Sequence, residues 1–441
     1  MSKRIAFLVY FPKNQRREDN SFDGNSNVGA KVIADTLQRA GVHVGYVTPE
    51  SAHIDADIVL VSLTSTHDIY AYLQAVALLP HWQPGNRKFI VLIGGFGMQN
   101  PTAIRDYVDY CAFGRAHEWI VDIVNTLQNN EVPEHESLMD VGIFNPVVIY
   151  QGGMYPHDVE GFKEEFTGCP LKCKFCHYTY ARKHQGSDAS YAKGAYVQSS
   201  LTGGGSPEVT WDQLLTWDKK AGRLRAAIDG FSQRLRYLYG KRISNDDIIA
   251  GINNMGSFSD DTATTLMVYN IVNFPGETEQ DYNEFVDIVS QANPRGRVIV
   301  VVQSTPFRPS IATPMQWEPV NLYPDWSKRR AQVIVERSNL RVVHSFTLET
   351  PWTHLQSVIA ERAAPDDDHA IAAILRSPKL KKLNSADALK LFSRNFDISR
   401  YTNELDIDGT HPAHFVRGYL RDEQIKKIAH KMRRQRNEWT K

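Results

Sequence analysis

The stretch Thr265-Leu-Met-Val-Tyr-Asn-Ile-Val-Asn273, then Phe274-Pro275-Gly276-Glu277-Thr278, and further on Arg-Val-Ile-Val-Val-Val-Gln at 297–303, decides the fold class. The first and last runs are apolar, rich in β-branched residues and of strand length. Between them, residues 278–292 read as a helix. Thr278 and Asp281 form a helix-start signal, and Glu279 and Glu284 add acid near the positive end of the helix dipole. Strands joined through a helix imply a parallel sheet. This second αβ part extends over about 160–345.

The same alternation appears at the start of the chain. Residues 4–11, with IAFLVYF at their centre, read as a buried strand, and 42–47, 57–63 and 88–93 as three more. Val28, Val32, Ile33, Leu37 and Ala40 share one helical face in 28–40, with Asn27 as the cap and Gly41 as the stop. A last helix lies near 117–128. These elements predict a doubly wound, Rossmann-like parallel sheet. Gly94 and Gly95 follow its fourth strand, at a carboxyl end where such sheets bind ligands.

Residues 130–160 carry Pro133, Pro146, Pro156 and Gly152-Gly153 without a sustained period, which marks a connection. Beyond 350 the pattern turns helical and polar, with DDDHAIAAILRS, SADALKLFSR and DEQIKKIAHKMRRQR as candidate helices. The predicted fold is α/β in four parts: a Rossmann-like domain over 1–135, a linker over 136–159, a αβ core over 160–345 and a helical region over 346–441.

Lys plus Arg and Asp plus Glu both number 50, so net charge makes no case for nucleic acid or membrane binding, although a local basic patch remains open. No apolar stretch reaches the roughly 18 residues of a membrane span, and the start of the chain lacks a secretory pattern. These features predict a soluble, cytoplasmic protein.

Of four cysteines, three fall within eight residues: Gly168-Cys169-Pro170-Leu171-Lys172-Cys173-Lys174-Phe175-Cys176. In a reducing compartment such spacing marks a metal site rather than disulfides. Thiolates suit both iron–sulfur clusters and zinc. Three of them wrap three corners of a cubane and leave one iron open. Zinc, with His177 or a remote residue as fourth ligand, is the competing reading. Cys111 stands in a strand-like run and reads as a core thiol.

The C-x3-C-x2-C spacing, with Phe175 just before the last cysteine, resembles the signature of the radical S-adenosylmethionine (SAM) superfamily. The resemblance implies a 4Fe–4S cluster on Cys169, Cys173 and Cys176, SAM on its open iron, and a partial TIM-type (β/α) barrel over 160–345. Asn273-Phe-Pro275-Gly276-Glu-Thr278 resembles the G-F-P-G-E-T turn of the branch that includes methylthiotransferases and cobalamin-dependent members, with Asn273 in place of glycine. Ala-Ile-Asp229-Gly-Phe-Ser232-Gln-Arg234-Leu-Arg236 resembles the strand end and turn before a helix that here begins Lys241-Arg-Ile-Ser244. Gln303-Ser-Thr-Pro306-Phe-Arg308-Pro309-Ser310 resembles the segment after the sixth barrel strand, and Thr202-Gly203-Gly204-Gly205 stands where a second-strand G-G-E is usual. The resemblance thus assigns Phe175, Gly203, Gly204, Asp229, Ser232, Arg234, Pro275 and Gly276 to SAM binding. It also implies an external electron donor such as flavodoxin or ferredoxin. No catalytic acid or base stands out.

A doubly wound domain ahead of such a barrel resembles the cobalamin-binding class. Asp109-Tyr-Cys111-Ala-Phe-Gly114-Arg-Ala-His-Glu118 is similar to the ending of those domains, with Arg115 in place of an acid. By that likeness Ser62, Thr64, Gly94 and Gly95 line a corrin pocket. The alternatives are that Ser62, Thr64 and Ser65 cap the next helix, and that the domain keeps the fold without the cofactor. No D-x-H-x-x-G occurs, so no histidine ligand to cobalt is inferred. Trp317 and Phe307 are either pocket or core. The basic tail Lys426–Arg436 is a solvated helix face or a phosphate contact. Three functions compete: cobalamin-mediated methylation of an unactivated carbon, a cobalamin-free radical rearrangement, and a zinc-bound nucleic-acid module. Phage isomerases acting on an amino-acid-modified thymine in DNA belong to the second kind. The substrate is therefore a small molecule, a nucleotide or nucleic acid.

Overall fold

The computed structural model describes residues 4–9, 28–51, 54–64, 66–141, 148–149, 166–169, 171–181, 183–186, 209, 211–217, 222–258, 263–322, 331–346, 350–364, 384–414 and 416–439. Its first sheet comprises β1 (Ile5–Val9), β2 (Val44–Val47), β3 (Ile58–Ser62), β4 (Ile90–Gly94), β5 (Tyr110–Ala112) and β6 (Leu138–Asp140). The order is β2-β1-β3-β4-β5-β6, parallel except for the β5–β6 pair. All five residues of β3 are buried, as expected of a parallel strand covered on both faces. Helices α1 (Val28–Arg39), α2 (Thr66–Val76) and α3 (Ile120–Gln128) cover the sheet. Gly41 ends α1 with φ +79°, a conformation that costs glycine nothing. Leu138–Asp140 fall within the expected linker, yet add a strand to this sheet. Cys111 is fully buried beside Met98, with its sulfur 3.8 Å from Met98 Sδ. Asn27 and Ser65 lie outside the described residues.

The second sheet contains β7 (Arg223–Ala227), β8 (Thr264–Val272), β9 (Val298–Pro306), β10 (Gln332–Glu336) and β11 (Leu340–Phe346). The order is β7-β8-β9-β11-β10, with β10 alone antiparallel. Burial alternates strictly along β8 and β9. Leu266, Val268, Val300 and Val342 meet Ile248 and Ile252 of α6 (Asn245–Met255) and Phe285 and Val289 of α7 (Glu279–Gln291). Met267, Tyr269, Val301 and Gln303, on the other face, are half-buried. Among the described residues this sheet is open, and closure into a barrel is not seen. Gly203 and Gly204 lie outside the described residues.

Two short helices, α4 (His177–Ala181) and α5 (Gln233–Leu238), flank the carboxyl end of this sheet. The C-terminal region supplies α8 (Pro351–Arg362), α9 (Ser385–Asn395) and α10 (Asp422–Trp439). The candidate helix DDDHAIAAILRS lies outside the described residues. Helix α8 was not anticipated. It is buried on almost every side and shares one core with β3, β4, α2, the 311–322 segment and α9. Among the described residues no helix is long and apolar enough to cross a membrane.

Candidate cluster and cofactor site

The cysteine loop is framed by a short antiparallel pair, Phe166–Thr167 with Gln185–Gly186. Gly168 adopts φ +69°, and a Cβ there would stand 2.8 Å from Lys183 O, so only glycine fits. The chain then turns, with the Cys176 amide donating to Cys173 O at 3.1 Å, into α4. The loop rests on the end of α5. The Lys174 amide donates to Tyr239 O at 2.8 Å, and Lys174 Nζ to Leu238 O. Gly240, at φ +91°, permits the Lys172 carbonyl to approach where a Cβ would meet it at 2.9 Å.

Cys173 is buried, and Cys169 and Cys176 are half-buried. Burial pushes the Cys173 thiol up to about 12, with the Lys241 ammonium opposing. Burial also raises Cys176, against the amide and hydroxyl of Thr179, which favour its thiolate. Bare thiolates are therefore disfavoured here, and a cationic metal centre would reverse that balance. Among the described residues no three His, Cys, Asp or Glu side chains are gathered closely enough to hold a metal ion. The donor set fits an iron–sulfur cluster in kind, and metal binding commonly completes a site that is not preformed.

Six of the residues assigned to SAM meet beside this loop. Phe175 packs on Phe274 with ring centres 5.6 Å apart, and Phe274 stacks on Tyr239 at 4.4 Å. The Tyr239 hydroxyl donates to Pro275 O, fixing the turn. Asn273 adopts φ +60°, the left-handed conformation that the usual glycine would take. Asparagine tolerates it better than most residues do. Its Nδ2 is buried with no acceptor among the described residues, which suits a ligand carrying one. Gly276 takes φ +81°.

Asp229 sits at φ +49° after β7, and Lys241 Nζ donates to its Oδ2 at 2.7 Å. Burial disfavours the Lys241 ammonium, but Asp229 and the neighbouring Cys173 hold its pKa above the ordinary lysine value. Ser232 caps α5 by accepting the Leu235 amide at 3.3 Å and donates to Asp281. Arg234 also bonds Asp281, donates to Gly276 O at 3.0 Å, and lies 5.3 Å from the Trp439 ring. The Thr278 amide donates to the same Asp281 carboxylate at 2.7 Å. Asp281 therefore does more than start α7. It ties α5 to the 273–278 turn.

Sequence reasoning missed a polar row across the strand ends. The Gly230 amide donates to Asn270 Oδ1 at 2.7 Å, Asn270 Nδ2 to Ser304 Oγ at 3.3 Å, and Ser304 Oγ lies 2.8 Å from His344 Nε2. The signal was present: Asn270 and Ser304 occupy the buried register of otherwise apolar strands. Trp317 and Phe307 are core residues. In the basic tail, Arg433 and Arg436 turn inward to Glu318 and Glu404, while Lys427, Lys431 and Arg434 stay exposed.

At the carboxyl end of the first sheet, the Leu63 amide donates to Gly94 O at 2.8 Å and the Gly97 amide to Leu63 O at 3.0 Å. A Cβ on Gly95 would stand 2.2 Å from Leu63 O. Thr64 donates through both its amide and its hydroxyl to Asp68, at 2.8 and 2.7 Å, in the first turn of α2. Ser62 is buried. Among the described residues, Thr64, Gly94 and Gly95 engage the chain's own backbone and α2 in these contacts. Phe96 reaches across to the cysteine loop, with its ring 5.6 Å from His177 and 6.0 Å from Tyr178.

No protein-family model matches the sequence, and no curated protein matches it. Solved structures of the cobalamin-dependent SAM radical enzyme OxsB align with it. With aqua-cobalamin bound, the alignment covers 98% of this chain and 56% of that one, at 11% identity and a TM-score of 0.31. With aqua-cobalamin and SAM bound, the figures are 99%, 62%, 11% and 0.33. The chain thus spans little more than half the length of those structures.

Proposed function

We propose that this chain is a radical SAM enzyme. One constellation carries the reading: the three-cysteine loop seated on the Tyr239–Gly240 end of α5, with Phe175 packed on Phe274 of the 273–278 turn. A 4Fe–4S cluster on Cys169, Cys173 and Cys176 would supply one-electron cleavage of SAM to a 5′-deoxyadenosyl radical that abstracts hydrogen from the substrate. Lys241 holds Asp229 in place beside Cys173. Phe175 and Phe274 offer an apolar wall, and the Asn273 amide group of the same turn a donor. The half-buried face with Tyr269 and Gln303 is where a substrate would lie, at the carboxyl ends of the strands of a partial barrel. Electrons would come from a flavodoxin or ferredoxin.

The reaction on this reading is methylation or rearrangement of an unactivated carbon, and no step is routed through a corrin. The substrate on this reading is a small molecule, a nucleotide or a modified base in nucleic acid.

The test is anaerobic reconstitution with iron and sulfide, then incubation with SAM and a reductant. The expected result is about four irons per chain and 5′-deoxyadenosine. Cys173→Ala should abolish both while leaving the fluorescence of Trp82, in the first-sheet core, unchanged. A colourless zinc protein without 5′-deoxyadenosine would overturn the reading. Bound cobalt would shift it to methylation.

A further inference from the structure

We infer that Glu361 is a positioning residue through which the first sheet sets the cysteine loop, acting by way of the Ile311 backbone and the His177 imidazole. The inference rests on the cluster reading for the importance of Cys176, but its contacts stand independently.

Glu361 lies on α8 and is 2% exposed. Its Oε2 accepts the Ile311 amide at 2.9 Å. The carbonyl of the same residue, Ile311 O, lies 2.7 Å from His177 Nδ1, and His177 directly follows Cys176. Ile311 is thus held at both ends, by α8 on one side and by the cysteine loop on the other. The next residue, Ala312, has φ +58°, a left-handed conformation that costs a residue with a Cβ roughly 1–2 kcal/mol. Its amide is also pinned, donating to Gln316 Oε1 at 2.9 Å. A strained turn with three fixed polar groups transmits displacement rather than absorbing it.

The first sheet grips this assembly at two points. Gln99, just beyond β4, faces Glu361; with its amide turned so that the nitrogen points to the carboxylate, Nε2 donates to both Glu361 oxygens at 2.7 and 2.9 Å. Asn100 Nδ2 donates to Ala363 O at 2.8 Å, at the end of α8. Phe96 from the same loop meets the far side through the His177 ring. The loop after β4 therefore touches both ends of the chain from Glu361 to His177.

Glu361 also titrates near neutrality. Burial pushes its pKa up to about 7, against the Ile311 amide and the Arg308 and Arg362 guanidiniums. Tyr70 of α2 and Tyr401 face the same cluster. Above pH 7 the carboxylate accepts from Ile311 and Gln99 together. Below it, one oxygen carries a proton and the buried group is no longer charged, the form that burial favours.

The test measures amide hydrogen exchange in the full chain without cluster, so that it does not depend on SAM cleavage. Glu361→Ala should speed exchange at Ile311 and through 177–181 by about tenfold or more, the scale of a lost charge-assisted hydrogen bond. Glu361→Gln, which keeps an acceptor, should hold these amides near wild type. Gln99→Leu should loosen 177–181 in the same direction, which keeps the inference testable if Glu361→Ala does not fold. Unchanged exchange at 177–181 in Gln99→Leu, and in Glu361→Ala where it folds, would overturn it. Absence of 5′-deoxyadenosine from reconstituted wild type would overturn the proposed function and leave the exchange result standing.

Discussion

His411 is buried, and its Nδ1 accepts the Ala413 amide at 3.1 Å, which puts the ring proton on Nε2. Burial, with help from Arg362 and His414, pushes its pKa down to about 3. The folded state therefore refuses a proton that the unfolded chain binds below about 6.5. Stability is full above that value and falls as pH drops, by about 1.4 kcal/mol per unit until the folded pKa is reached. Glu361 contributes the opposite slope. Its raised pKa means that stability declines as pH rises from about 4.5 towards about 7. Urea denaturation of wild type and His411→Gln between pH 7.5 and 4.5 isolates the histidine, because the Glu361 contribution cancels in the difference. The variant should lose less stability on acidification, and parallel curves would refute this. Neither group was legible as buried from the sequence, because burial of a polar residue depends on partners far along the chain. Asn273 was half legible. Its place in the turn was readable, but the ease with which it adopts φ +60° was not.

Helix α10 shows the same mixture at the scale of an element. Its existence was legible from DEQIKKIAHKMRRQR, but the role of its charges was not. Arg433 and Arg436 converge on Glu318, which is almost completely buried, and Arg436 also bonds Glu404. A Cβ on Gly276 would come within 3.0 Å of Arg436 Cγ, so this helix seats directly on the 273–278 turn. Removing one arginine leaves a buried carboxylate short of charge, which costs about 3–5 kcal/mol when a pair is broken outright. Arg436→Met should fall at or below the low end of that range, since Arg433 remains. Arg436→Met combined with Glu318→Gln should be less destabilised than the sum of the singles by about 1 kcal/mol or more, as measured by chemical denaturation. Strict additivity would mean that the pair is not coupled. Helix α8 escaped sequence reading for a physical reason. A helix enclosed on nearly all sides, with His354, Glu361 and Arg362 bonding the backbones of Phe307, Ile311 and Tyr401, has no polar face to reveal its period.

For the molecule as a whole, the linear order of domains does not match the spatial order of cores. The parallel strands of both sheets were legible because hydrophobic runs report them locally. The closure of one core by a helix from the other end of the chain was not, because no local pattern encodes it. Val59, Val91 and Leu73 of the first sheet and α2 share a core with Leu355, Val358 and Phe392 of α8 and α9. Leu355→Ala should therefore cost about 2–5 kcal/mol and reduce hydrogen-exchange protection in β3 and α2 as well as in α8. A loss confined to α8 would show that the two regions open separately. The bond from Asn100 to Ala363 joins residues 263 positions apart. During synthesis at about 5–20 residues per second, the first sheet would emerge and then wait on the order of 13–50 s for the helix that seals it. Throughout that interval its apolar flank stays open to solvent and to nascent-chain chaperones. Yield of this protein should thus depend on how its second half is translated as much as on its first.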